Sequence, residues 1–408
     1  MKKDFIINNM YMDKELSSII GRTEGLFDYD IGKYEDLVTE IISKSSFLII
    51  GGAGSIGSAV TYEIFKRKPK TLHVVDISEN SNVELVRNIR SSLGYIDGDF
   101  KVYSIDYSSV EFQSLVLNNK TYDYVFNLSA LKHVRSEADP FTLMRMTKVN
   151  IIHCINSLKI TKKKGSKNFF NVSSDKATDP INMMGASKKI AEIFLQNESL
   201  DHNISSARFA NVAFSNGSLL QGFEKRLSLK QPLTAPINIK RYFITPKESA
   251  ELCLLSALLG KNREIYFPKL DLKKDQVSFT SIVENFLKVH NFEIFLCEDE
   301  IEARSKCKDL IKKNLWPCYF FESDTTGEKI IEEFFHKDEI TFMNKYNKIG
   351  IIENNNFIDS EILNNFIKEL DSLLNKRKWD KSDILNLYFS IIPDFKHEEK
   401  NKYLNERM

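Results

Sequence analysis

From Phe47 onward, short apolar runs alternate with stretches whose apolar residues recur at helical spacing. F-L-I-I at 47–50, T-L-H-V-V-D at 71–76, K-V-Y-S-I-D at 101–106, Y-D-Y-V-F-N-L-S-A at 122–130 and K-N-F-F-N-V-S-S at 167–174 read as strands. Helical periodicity between them predicts helices through Val83–Ser91 and Met144–Leu158. Such alternation predicts an α/β chain whose parallel sheet is covered on both faces and binds ligands at the carboxyl ends of its strands. Ahead of it, E-D-L-V-T-E-I-I-S at 35–43 has helical spacing, so 1–45 reads as a helical preface. The sheet domain is expected over 46–212, with a return around 240–268 through I-Y-F-P near Ile265. After Asn211 the pattern turns irregular, as in a smaller lobe over 213–345 that includes a charged helix at Asp299–Asn314. Residues 346–408 read as a Lys/Asn-rich helical extension.

Charge narrows the function classes. Among 408 residues, 57 basic side chains balance 56 acidic ones, leaving no field for nucleic acid or anionic lipid. Five scattered cysteines without a C-x-x-C pair predict reduced thiols and a cytoplasmic protein, and no metal is expected. No apolar run approaches the roughly 18 residues of a membrane span, and the N-terminus lacks the apolar core of a signal peptide.

Two motifs carry chemistry. G-G-A-G-S-I-G at 51–57 follows a predicted strand and opens a helix. Gly51, Gly54 and Gly57 permit a tight turn against a pyrophosphate, while Ser55 and Ile56 offer backbone donors. Asp76 closes the next strand, where a carboxylate accepts from ribose hydroxyls and repels a 2′-phosphate, so NAD is preferred over NADP. The second motif is S-S-D-K-A-T-D-P-I-N-M-M-G-A-S-K, Ser173–Lys188. It sets the acid–amine pair Asp175–Lys176 at a strand end, ahead of a helix on which Met184 and Lys188 share a face.

Together these motifs resemble the extended short-chain dehydrogenase/reductase superfamily. Within it the chain is most similar to the UDP-N-acetylglucosamine 4,6-dehydratases of polysaccharide biosynthesis (CapD-like), over roughly residues 46–335. The superfamily's Tyr-x-x-x-Lys has Met184 in the Tyr position, as in a Met-containing subgroup with S-[ST]-D-K-A. The resemblance implies a Rossmann-type doubly wound sheet with a smaller substrate lobe, bound NAD and a nucleotide-diphosphate sugar as substrate. It places Asp106 and Tyr107 at the adenine, and Leu128, Ser129 and Ala130 beside the nicotinamide ribose. Lys132 and Lys188 become cofactor contacts, and Asn150 organises the site. Asp175 would act as acid and proton acceptor and Lys176 as the C5 base, with its pKa lowered by burial and by Lys188. Ser173 and Ser174 would hydrogen-bond the sugar. R-F-A-N-V-A-F-S-N-G-S, K-R-Y-F-I-T-P and T-G-E-K match the family's nucleotide-sugar motifs and nominate Asn211, Arg241 and Glu328. A homo-oligomer is implied as well, packed through helices whose outer faces carry Ile151, Ile155 and Ile190. Two alternatives remain: a nucleotide-sugar C4 epimerase, which ordinarily keeps the Tyr, and a non-catalytic NAD-binding regulator or scaffold.

Overall fold

The computed structural model describes residues 13–397 and 399, except 272, 273, 324–328, 330 and 356. Its centre is a nine-stranded sheet. Six parallel strands come first: β1 (Ser46–Ile50), β2 (Thr71–Asp76), β3 (Asp99–Ser104), β4 (Tyr124–Asn127), β5 (Asn168–Ser174) and β6 (Asn203–Phe209). They lie in the order β3-β2-β1-β4-β5-β6. Glu264–Pro268 adds parallel to β6, so I-Y-F-P does return to the sheet. Central β1 is an unbroken apolar run because helices cover both of its faces, whereas edge strand β3 alternates exposed and half-buried residues. Between β1 and β4 the winding reverses direction. That crevice at the carboxyl ends of the strands is where such sheets bind ligands.

The helices form for local reasons and then bury a face. Ser55–Lys66 starts directly from the glycine loop. Thr245 and Glu248 form a reciprocal capping box on Pro246–Leu259, a helix buried on nearly all sides against the sheet. Glu248 also binds Arg22 at 2.6 Å and the Leu26 amide at 2.7 Å, which fastens the N-terminal helices to the body. The predicted helix at Met144–Leu158 is part of a longer rod. Pro140–Thr147 and Cys154–Lys163 are joined by a π-helical stretch at Lys148–His153. The smaller lobe holds a three-stranded parallel sheet of Glu293–Leu296, Leu315–Phe321 and Leu233–Pro236. Its charged helix runs Glu300–Ile311.

Two expectations need correction. Residues 346–408 are not wholly helical. Ile349–Glu353 pairs antiparallel with Glu264–Pro268, and Ile340–Phe342 pairs beyond it, so both complete the main sheet. The run I-G-I-I is too short and too apolar for a surface helix and finds its burial at the sheet edge. The helices Ser360–Lys376 and Lys381–Ile391 follow. They answer the second expectation, that Ile151, Ile155 and Ile190 would form an outer face for a second subunit. All three are buried within the chain, packed with Leu143, Met144 and Met184 against Leu363, Phe366, Leu370 and Leu387. The apolar face that motivated an oligomer is covered by the chain's own C-terminal helices. Among the described residues, no helix is long and apolar enough to cross a membrane.

Candidate active site

The glycine loop reverses the chain between β1 and its helix, with Gly51 at φ +75°. A Cβ on Gly57 would meet the Gly51 carbonyl oxygen at 2.1 Å, so the helix can approach the turn this closely only without a side chain. Asp76 closes β2 and holds the loop: its Oδ2 accepts from the Ala53 amide at 3.1 Å and its Oδ1 from the Ser78 amide at 3.0 Å. Ser78, not Asp76, caps the next helix. A cavity of about 570 Å³ extends from Gly51 and Gly54 past Asp76, Asp106 and Tyr107 to Leu128, Ser129 and Ala130. Tyr107 presents its ring there, but its hydroxyl donates to the Val149 carbonyl at 2.7 Å and is not available to a base. Ser55 is also engaged, accepting from the Asn216 amide of the small lobe at 2.8 Å, while Ile56 lines the neighbouring cavity. The side-chain-free turn, the opening helix and the fixed carboxylate fit NAD.

A second cavity, of about 450 Å³, shares Gly54, Leu128 and Ala130 with the first and continues to the end of β5. Here Asp175, Lys176, Met184, Lys188, Lys132 and Asn211 converge. Asn182 caps the helix Met183–Glu198 by accepting from the Gly185 amide at 2.8 Å. Gly185 packs so closely on the Asp175–Ala177 turn that a Cβ would lie 2.2 Å from the Lys176 carbonyl oxygen. This contact brings the acid–amine pair against the Met184–Lys188 face. Asn150 braces the same region, pairing with both backbone groups of Leu131 and donating to Ser187, each at 2.9 Å.

Lys176 Nζ lies 3.1 Å from Asp175 Oδ1 and 3.5 Å from Glu332 Oε1. Both carboxylates are buried, and one oxygen of each has no hydrogen-bond partner among the described residues. Burial alone would lower the Lys176 pKa, but Asp175 and Glu332 together outweigh it and the pKa is raised. This corrects the expectation of a lowered value and makes the resting side chain an ammonium. The depressed lysine is Lys188, pushed down to about 8 by burial, with its Nζ donating to the Val172 carbonyl at 3.0 Å. Burial takes Lys132 to about 8 as well, and its Nζ donates to Ser215 Oγ at 3.0 Å.

Other expected site residues are placed differently. Ser173 donates its hydroxyl proton to buried Glu192 at 2.6 Å, so that proton is not offered to a sugar. Glu192 in turn forms paired hydrogen bonds with fully buried Arg208, which also bonds Glu339. The arginine of R-F-A-N is therefore a brace that ties β6 to the helix Met183–Glu198 and to the segment leading into Ile340–Phe342. Ser174 donates to Asp175 Oδ1 at 2.8 Å, Asn211 to the Tyr242 carbonyl at 3.2 Å. Arg241 is buried, donates to the Lys240 carbonyl, and its charge acts on Lys176 and Glu332. Glu328 lies outside the described residues. Sequence reasoning missed Glu332: an acid in I-I-E-E-F-F has no spacing that ties it to β5, and only the tertiary fold brings it there.

The chain is 26% identical over 345 residues to the capsular polysaccharide biosynthesis protein CapD of Staphylococcus aureus, covering 82% of this chain and 53% of CapD. It thus spans about half the length of that relative. It is also 26% identical over 245 residues to a UDP-N-acetylglucosamine 4,6-dehydratase (inverting) of Campylobacter jejuni, covering 57% of this chain and 70% of the relative. Among solved structures, Pen from Bacillus thuringiensis shares the fold with a TM-score of 0.63 at 22% identity, over 81% of this chain and 98% of that one. Residues 47–354 match the polysaccharide biosynthesis protein family, and with this glycine loop, strand order and acid–amine turn, the chain belongs to that family within the extended short-chain dehydrogenase/reductases.

Proposed function

We propose that the protein is an NAD-dependent nucleotide-sugar 4,6-dehydratase acting on UDP-N-acetylglucosamine, a lyase of surface-glycan synthesis. The observation that carries this reading is the Asp175–Lys176 pair, joined at 3.1 Å and facing the cavity that also holds Met184 and Lys188. An epimerase needs no such pair, and Met184 has no proton to exchange. The dehydratase from Campylobacter jejuni supports the choice of sugar.

When bound, NAD supplies the hydride acceptor and donor that carries hydrogen from C4 to C6 of the sugar. Lys188 would hold the nicotinamide ribose with its cation. Asp175 accepts the C4-hydroxyl proton as that carbon becomes a ketone. The ketone acidifies the C5 hydrogen, which Lys176 removes as a free amine. Asp175 then returns its proton to the C6 hydroxyl, which leaves as water, and Lys176 gives its proton back to C5. Because Lys176 rests as an ammonium, the amine form is the minority species at neutral pH, and its supply sets the pH dependence.

The test is incubation with UDP-N-acetylglucosamine and mass spectrometry of the product. A product lighter by one water supports the reading. An isomer of unchanged mass assigns the epimerase instead, and no turnover of this sugar removes the dehydratase assignment.

A further inference from the structure

The C-terminal helices lie outside the stretch that matches the family, yet they reach the dinucleotide half of the cleft. Leu374, in the last turn of Ser360–Lys376, and Trp379, in the link to Lys381–Ile391, line the same cavity as Asp76 and Asp106. Trp379 is fixed there, its indole Nε1 donating to the Pro140 carbonyl at 3.0 Å. Phe141 packs against it, with ring centroids 6.0 Å apart in an edge-to-face pair. Phe141 lines the cavity too, and it is 71% exposed. A large aromatic ring left this open beside a second ring, in the lining of the dinucleotide cavity, is suited to the flat face of a purine.

We propose that the C-terminal helical pair is part of the cofactor site, with Trp379 and Phe141 forming an aromatic wall that retains the adenosine half of NAD. The proposal rests on the dinucleotide reading of the glycine loop. The wall does not stand free. Tyr388 and Thr147 share a buried hydroxyl–hydroxyl bond of 2.9 Å, which ties the second C-terminal helix to the helix that begins at Pro140. Arg145 and Lys148, on that side of the cavity, add positive charge toward an anionic dinucleotide. Rings stacked on the adenine would have to be left behind when NAD dissociates, so the wall should slow release.

The experiment measures NADH release from the full-length protein by stopped-flow displacement with excess NAD. Trp379→Ala and Phe141→Ala should each speed release about tenfold or more, the scale of losing one ring stacked on a base, while Trp379→Phe should stay near the parent. Phe141 is exposed, so its substitution tests the wall even if Trp379→Ala disturbs the C-terminal helices. A second readout is direct. Trp316, the other tryptophan, is buried in the small lobe, so Trp316→Phe leaves Trp379 as the sole tryptophan for selective excitation, and NADH should quench its emission. Parent-like release in both alanine variants, or an unquenched Trp379 at saturating NADH, overturns the proposal. A parent protein that binds neither NAD nor NADH overturns instead the dinucleotide reading beneath it.

Discussion

Lys176 Nζ and Glu332 Oε1 face each other at 3.5 Å, although one belongs to the turn after β5 and the other to the segment beyond the small lobe. The surroundings of the Lys176 amine are thus assembled from two distant parts of the chain. Burial pushes the Glu332 carboxyl up, and the attraction of Lys176 offsets this only in part. Asp175, Arg241 and Lys329 complete the set of charges acting on it.

This arrangement fixes the sign of a pH effect. The raised Lys176 pKa means that the free amine becomes more abundant as pH rises, so the dehydration rate should climb with pH. Glu332→Gln removes one of the two anions that raise that pKa, and the climb should move to lower pH. Glu332→Asp, which keeps the charge, should lie between variant and parent. The measurement is the pH–rate profile of dehydrated product. A Glu332→Gln profile superimposed on the parent's would show that Glu332 does not govern the amine.

The two chemical steps should separate by mutation. Lys176→Ala should still reduce bound NAD when substrate is added, since oxidation at C4 does not need the C5 base, yet release no dehydrated product. Asp175→Asn should lose both, with turnover down about 10²–10⁴-fold. Met184→Leu should keep most activity, and a volume-similar swap there should cost less than about 1.5 kcal/mol of stability. Nicotinamide absorbance followed alongside product mass distinguishes these outcomes, and a folded but inactive Met184→Leu would refute the packing role.

Burial lowers Lys188 and Lys132 alike to about 8, and both line the second cavity, which shares Gly54, Leu128 and Ala130 with the dinucleotide cavity. Below that pH they are cations and favour the anionic dinucleotide. Above it the attraction is lost, so NAD affinity should fall as pH rises through about 8. Calorimetry on either side of that value checks this. Lys188→Met should remove part of the dependence and Lys132→Met the remainder.

Most of the architecture was legible because local signals agreed with one another. The apolar runs within β1, β4 and β5 marked buried central strands, and the glycine loop, Asp76 and the Asp175–Lys176 turn lie at the carboxyl ends of β1, β2 and β5. What stayed hidden depended on packing. Ser173 looks available in S-S-D-K, but Glu192, on the following helix, accepts its hydroxyl hydrogen bond. Ile151, Ile155 and Ile190 read as an outer stripe because their cover is encoded some two hundred residues later. The burial that lowers the Lys176 pKa is legible in the sequence; that Asp175, joined by the distant Glu332, outweighs it depends on the fold.

That cover has a measurable strength. Phe366 is buried and packs edge-to-face on Phe194, with centroids 5.6 Å apart. Phe366→Ala should cost about 3–5 kcal/mol, the range for emptying an aromatic core site, read as a shift in the denaturant midpoint. A loss below about 1 kcal/mol, within the scatter of ordinary surface changes, would mean that the C-terminal helices are only loosely seated.

The lateness of the cover also shapes how the protein is made. The helices Pro140–Thr147 and Met183–Glu198 leave the ribosome long before Ser360–Lys376, and at about 5–20 residues per second the delay is on the order of ten seconds. For that interval a nascent chain with its cofactor loop already complete carries an uncovered apolar stripe. Two such chains on one messenger would present the same stripe to each other. Slowing translation beyond Glu198 lengthens that exposure and should lower the soluble yield.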